Sequence, residues 1–312
     1  MSGLIEQAAR RLEQLREAGV EVPDTPPPRI PIGTHQAAPL QRVPVDQVEQ
    51  PEPPPAHTSR HIELDIAALA AAGIITPNAP RSHLADQYRV IKRPLIRNAT
   101  GKGAAVLKHG NLIMVTSALA GEGKSFTAVN LAMSIAAERD HTVMLVDADV
   151  ARPSVPRMLG FPPGPGLLDV LLGSVEMSSV LLRSDIDKLT LLPSGTPHPR
   201  ATELLASDAM GRLLDDIANR YADRIVIFDS PPLLLTTEAR VLATHMGQVV
   251  VVVQADKTLQ ADVDRALATI EACPVRLMLL NQARAQVEGA YGYGYGYGYG
   301  EEYGSARQQP AG

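Results

Sequence analysis

The residues Ser117-Ala118-Leu119-Ala120-Gly121-Glu122-Gly123-Lys124-Ser125 combine closely spaced glycines, a lysine and a hydroxyl in an order suited to gripping phosphate. Gly121 and Gly123 allow successive backbone N–H groups to converge on a phosphate, and a helix beginning at Lys124 adds the positive end of its dipole. The Lys124 ammonium can reach outer phosphate oxygens, and Ser125 can offer its hydroxyl to Mg2+. The phosphate-contacting stretch is read as Gly121, Glu122, Gly123, Lys124, Ser125 and Phe126. Ala118 departs from the strict pattern, standing where a leading glycine is usual. Three carboxylates, Asp147, Asp149 and Asp229, each close an apolar run, the first pair with Arg152-Pro153 shortly beyond and the last followed by Ser230-Pro231-Pro232. A single aspartate there would be read as a cap for the next helix, whereas three beside a phosphate loop suit metal and base work. A further chemical group lies far from these. Tyr291, Tyr293, Tyr295, Tyr297, Tyr299 and Tyr303 fall in YGYGYGYGYGEEYG.

The elements that must position these groups are short apolar, β-branched runs at Leu112 to Thr116, Val143 to Val146, Leu189 to Leu192, Ile225 to Phe228, Gln248 to Val253 and Arg276 to Leu280. Helical stretches lie between them, among them Ser125 to Ala137 and Thr202 to Ala218. Alternation of this kind predicts an α/β, P-loop NTPase-like fold over 61–285: a mostly parallel sheet with helices on both faces and ligands at the carboxyl ends of its strands. Parallel neighbours would bring all three aspartates to the edge that carries the phosphate loop.

Composition draws the remaining boundaries. Eleven of the 26 prolines fall between Pro23 and Pro55, so 21–60 reads as an extended linker. Before it, Leu4, Ala8, Leu12 and Leu15 recur at helical spacing in 1–20, a helix either for a protein partner or for packing on its own domain. Residues 286–312 alternate glycine so often that they read as a disordered tail. Six of the chain's 11 aromatics sit in that tail, where packing cannot account for them, and a chemical role does.

A net charge of −5 gives no general attraction to nucleic acid or anionic lipid. The single cysteine, Cys273, excludes a disulfide framework and any site needing several thiolates, and points to a reducing compartment. No apolar run approaches the roughly 18 residues of a membrane span. His57 and His61 have a metal-compatible spacing but no third ligand nearby. Asn281, ending the last strand, is read as a turn former or as a contact for a nucleotide base. No guanine-reading NKxD element follows the sheet, so adenine is preferred.

The phosphate loop, the Asp147-Ala148-Asp149 element and the Asp229-Ser230-Pro231-Pro232 element, with a tyrosine cluster at the C-terminus, resemble the Walker A, A′ and B motifs of the bacterial tyrosine kinases. The helix and Pro-rich linker at the N-terminus look like the stand-alone cytoplasmic members encoded with exopolysaccharide systems. The resemblance covers about residues 80 to 304. It implies an autokinase using ATP and Mg2+, with Lys124, Asp147, Asp149 and Asp229 catalytic, Ser125, Asp149 and Asp229 at the metal, Asp147 orienting or deprotonating the attacking hydroxyl, and the six tail tyrosines as phosphoacceptors. The family's arginine directly after DxDx is replaced by Ala151, with Arg152 next to it. Asp86, Arg89 and Lys92 resemble the family's ExxRxxR helix, which implies a homo-oligomeric ring built through one charged helix face. Also implied are a separate membrane adaptor of the polysaccharide chain-length type, a cognate tyrosine phosphatase, and a cytoplasmic location held peripherally at the inner membrane. A partitioning or site-placement ATPase shares this sheet, but its phosphate loop carries an extra lysine near the start, and Ser117, Ala118 and Leu119 supply none.

Overall fold

The computed structural model describes residues 60–77, 80–220 and 223–283. The N-terminal helix, all but the last residue of the linker, and the tyrosine tail expected above lie outside the described residues. The elements, in order, are β1 (Arg60–Ile62), α1 (Ile66–Ala71), α2 (His83–Ala99), β2 (Leu112–Ser117), α3 (Lys124–Ala136), β3 (Thr142–Asp147), α4 (Val155–Leu159), α5 (Leu167–Leu171), α6 (Met177–Val180), β4 (Leu182–Ser184), β5 (Leu189–Leu192), α7 (Ala201–Leu205), α8 (Asp208–Arg220), β6 (Arg224–Asp229), α9 (Glu238–Ala243), β7 (Gln248–Gln254), α10 (Gln260–Ala268) and β8 (Val275–Asn281).

The strands form one sheet in the order β1-β4-β5-β3-β6-β2-β7-β8. Every described pairing is parallel except β4 with β5. The central strands are buried on both faces, as crossover helices require, and their residues divide strictly by parity. Ile113, Val115, Val143, Leu145, Ile225 and Ile227 enter the apolar layer shared with α2 and α3. Leu112, Met114, Met144, Val146, Val226 and Phe228 enter the opposite layer, with Met210, Leu214 and Ile217 of α8. Loops at the carboxyl ends of β2, β3 and β6 therefore share one edge.

The expected helix over Thr202 to Ala218 is two helices. Ser207 breaks it: its hydroxyl donates to the Leu204 carbonyl at 2.7 Å and accepts from the Met210 N–H at 3.3 Å, ending α7 and capping α8.

α2 starts on Ser82, whose Oγ accepts the Ala85 N–H at 3.1 Å. Its buried stripe is Tyr88, Lys92 and Leu95, spaced i, i+4, i+7. The expectation that Lys92 joins Asp86 and Arg89 on an outward face is corrected here. Lys92 is 5% exposed, donating to the Ser134 carbonyl at 2.5 Å and pairing with Glu138 at 2.7 Å, both from the end of α3 and beyond. Asp86 and Arg89 remain exposed and pair with each other at 2.5 Å, and Arg93 takes the outward place on the next turn. The reason is rotational: the stripe that must carry Tyr88 and Leu95 inward carries Lys92 with it. At the other end of α2, the buried Gln248 amide donates to the carbonyls of Leu95 at 3.0 Å and Gly110 at 2.6 Å, while its oxygen accepts from Asn98 at 2.9 Å. A glutamine within the apolar β7 is thus fully satisfied, and it ties α2 to the sheet.

Candidate nucleotide and phosphoryl-transfer site

The β2–α3 loop is held from three sides. Gly123 caps α3 with φ of 95°, in the left-handed region, and a Cβ there would lie 2.1 Å from Asn281 Nδ2. Only glycine serves at that position. Asn281 uses the same amide to donate to the Glu122 carbonyl at 2.9 Å. The sequence left Asn281 as a turn former or base contact, and in the structure its side chain secures the phosphate loop. Glu122, read from sequence as part of the phosphate-contacting stretch, turns its carboxylate inward: it is 2% exposed, accepts the Leu119 N–H at 2.7 Å and accepts the Thr258 hydroxyl. Its backbone can still face a ligand, but its side chain fastens the loop to the segment after β7. No local pattern could have signalled this, because Thr258 and Asn281 lie well over a hundred residues away.

The segment after β6 is laced to the same strand. Ser230 N–H donates to the Val115 carbonyl, Leu233 N–H to that of Ser117, and Thr116 Oγ1 to that of Pro231 at 2.8 Å. Phe126, at the start of α3, is half-buried beside Gly73 rather than open to the loop mouth.

The structure brings Lys124, Asp147, Asp149 and Asp229 together. Lys124 Nζ lies 2.6 Å from Asp149 Oδ2, 3.8 Å from Asp229 Oδ1 and 3.3 Å from Ser125 Oγ. Asp147 and Asp229 are opposite one another in the β3–β6 register. Asp147 Oδ2 accepts the N–H groups of Ser154 and Val155, each at 3.0 Å, so the start of α4 orients it. Asp229 Oδ2 accepts the Ser154 hydroxyl at 3.2 Å. Burial first, and then the neighbouring Asp229 charge, push Asp147 up to about 7. Burial likewise raises Asp229, opposed by the Lys124 charge. Arg152 is exposed, its backbone N–H held by Asp149.

These groups fit a phosphate-bound, hydrated divalent cation. Both Asp147 Oδ1 and Asp229 Oδ1 are buried without a hydrogen-bond partner, an arrangement that calls for a further donor or cation. Among the described residues no three carboxylate, histidine or cysteine groups form a metal cage by themselves. Mg2+ typically keeps its waters and takes one or two carboxylates plus phosphate oxygens. Ser125, Asp149 and Asp229 would hold it.

Of the tyrosines in the described residues, Tyr88 is buried between α2 and α3, and burial pushes its phenol up to about 12. The tail tyrosines, from Tyr291 to Tyr303, lie outside the described residues. Among the described residues no helix is long and apolar enough to cross a membrane.

Comparison with known proteins agrees with this geometry. The model of the ParA family, described as NUBPL iron-transfer P-loop NTPase, matches residues 108–281. Tyrosine-protein kinase YwqD of Bacillus subtilis (strain 168) is 32% identical over 221 residues, 70% of this chain and 90% of YwqD. Tyrosine-protein kinase wzc of Salmonella typhi is 29% identical over 168 residues, 54% of this chain but 23% of wzc, so the chain spans about a quarter of that relative. Among solved structures, the chimerical protein CapA2B2 is similar with a TM-score of 0.56 at 25% identity, over 71% of this chain and 93% of that one. The kinase domain of Escherichia coli tyrosine kinase ETK, at 23% identity and a TM-score of 0.50 over 73% of this chain and 98% of that one, shares the fold. With its P-loop, paired strand-end aspartates and near full-length match to YwqD, the chain belongs to the bacterial tyrosine-protein kinases within the ParA-like P-loop NTPases.

Proposed function

We propose that the protein is an ATP- and Mg2+-dependent tyrosine autokinase that phosphorylates its own C-terminal cluster in trans. The observation that carries the reading is the convergence of Lys124, Asp147, Asp149 and Asp229 at one sheet edge, in a chain whose sequence carries six closely spaced tyrosines between 291 and 303. Phosphoryl transfer asks mainly for positioning and charge compensation. Lys124 supplies the compensating charge on the transferring group. Ser125, Asp149 and Asp229 hold the cation, which when bound neutralises phosphate charge. Asp147 is fixed through Oδ2 by two backbone N–H groups and keeps Oδ1 free to accept a tyrosine hydroxyl. The solvent-exposed Arg152 stands near the position of the missing family arginine, Ala151, and is the candidate to serve in its place.

The names of the relatives support a setting in polysaccharide export: one is called succinoglycan biosynthesis transport protein ExoP, of Rhizobium meliloti. In this reading the kinase works in the cytoplasm at the inner membrane, recruited and stimulated by a separate chain-length adaptor and reset by a tyrosine phosphatase. Ring assembly would use Asp86 and Arg89, with Lys92 supporting α2 from within. Six phosphotyrosines, at about −1.5 to −2 each, would take the tail from a side-chain charge of −2 to roughly −11 to −14 and favour disassembly. The test is mass spectrometry after incubation with ATP and Mg2+. Phosphate on the tail tyrosines is the expected result, and ATP hydrolysis without it would instead support a nucleotide switch of the partitioning type.

A further inference from the structure

β8 is the last strand of the sheet, and among the described residues nothing pairs with its outer edge. A seven-residue edge in an α/β sheet is normally covered, charged or shortened, because its unpaired N–H and C=O groups invite another strand. Apart from Arg276 this one is apolar: Met278 and Leu280, on the face away from α2, are each 65% exposed, and Val90 of α2, at the groove on the other face, is 71% exposed. Between α2 and β8 runs an apolar groove of about 560 Å3, lined by Leu84, Ile91 and Pro94 from the helix and by Leu277, Leu279 and Asn281 from the strand. Large side chains left this open at a sheet edge mark a binding surface.

We infer that the groove and the outer edge of β8 are the docking site for the chain's own unmodified tyrosine tail. Three observations choose this occupant. The chain leaves β8 at Asn281, at the end of the groove itself, so the residues that follow start where the surface starts. Residues 282–290 are long enough to turn back, and the nine-residue YGYGYGYGY run of 291–299 is then long enough to span the seven residues of β8. Strict alternation supplies the chemistry: side chains of an extended segment alternate between faces, so a strand of this sequence presents every tyrosine on one side and bare glycine backbone on the other. The tyrosines would fill the apolar groove with their phenol oxygens at its rim, and the backbone would complete the open ladder. Added this way the tail is an antiparallel edge strand on an otherwise mainly parallel sheet, a common arrangement in folds of this type. A phosphate on any of these tyrosines would bring about −1.5 to −2 of charge to the rim of a groove whose lining offers no cation, so modification frees the tail. That last step rests on the kinase reading above, but the docking itself does not.

The test is amide hydrogen exchange on the full chain, treated with phosphatase and free of nucleotide, so that it is independent of kinase activity. Wild type is compared with three full-length variants: all six tail tyrosines changed to Ser, all six changed to Phe, and Val90→Glu, at an exposed position lining the groove; thermal melts confirm that the fold is kept. In wild type and in the Phe variant, amides of Val275 to Asn281 are expected to exchange at least about tenfold more slowly than in the Ser variant. The Val90→Glu variant should expose the tail to protease while the domain remains intact. Equal exchange of β8 in the wild-type and Ser chains overturns the inference. So does protection that disappears on dilution with the tail intact, which would assign the cover to a second copy. If docking is seen and no tail phosphate ever forms with ATP and Mg2+, the kinase reading fails and the docking stands.

Discussion

Replacing Asp147 with Asn should make the nucleotide-free protein more stable in a pH-dependent way. The folded protein raises this carboxyl from 3.8 to about 7, a difference of about 3 pH units. The folded state therefore keeps the proton longer than the unfolded chain does, and stability is lost as pH rises from about 4 towards about 7, then levels off. At about 1.4 kcal/mol per unit, the ionised group costs up to about 4 kcal/mol at pH 8. Asn removes the charge, keeps an oxygen for the Ser154 and Val155 N–H groups, and turns an N–H toward Asp229, whose Oδ1 has no hydrogen-bond partner. Asp229, whose charge helps raise Asp147, shares the titration, so about half of the limit, roughly 2 kcal/mol, should separate variant from wild type as pH goes from 4 to 8. For a domain of this size that is a widening of about 4–8 °C in Tm. Thermal melts in EDTA across that range provide the assay. A difference in Tm that stays constant with pH, or narrows as pH rises, would refute the charge-burial account.

Lys124→Ala is expected to lower tail autophosphorylation by roughly a hundredfold or more, read by phosphotyrosine mass spectrometry, since the transferring charge loses its compensating ammonium. Glu122→Ala leaves the Leu119 N–H and the Thr258 hydroxyl without their acceptor, costing about 1–3 kcal/mol and weakening nucleotide binding in calorimetry, whereas Glu122→Gln should restore most of both. Lys92→Ala should destabilise the fold by about 1–3 kcal/mol in denaturant titrations, because the Ser134 carbonyl and Glu138 lose a buried partner. Arg89→Ala, at an exposed pair, should leave that midpoint almost unchanged and alter only the assembled mass seen by light scattering.

What could be read in the sequence was whatever the chain encodes locally. The strand, glycine loop and helix around Lys124, and the apolar runs ending in Asp147 and Asp229, needed no distant partner to be recognised, and the parallel register then fixed their convergence. Lys92 was misread because charge pattern and helix spacing do not say which stripe of α2 turns inward; that depends on where Tyr88 and Leu95 find α3. Glu122 was read within the phosphate-contacting stretch from its place in the loop motif, and Asn281 as a turn former or base contact from its place at a strand end; the partners of their side chains, Thr258 for Glu122 and the Glu122 carbonyl for Asn281, are brought near only by the closed sheet. The break at Ser207 was missed because apolar periodicity continues across it, while the hydroxyl that interrupts it acts within a single turn.

Lys124 is already engaged by its own neighbours. One ammonium between Asp149 and Asp229 leaves the trio a net negative charge, so an incoming triphosphate must win the lysine from two carboxylates and add to that negative field. A divalent cation would remove both obstacles at once, because Asp149 and Asp229 could hold it in place of the ammonium. Cation and nucleotide must then each raise the other's affinity by the same factor. By that linkage Lys124 would act as the latch between the two, held by the carboxylates until both are met.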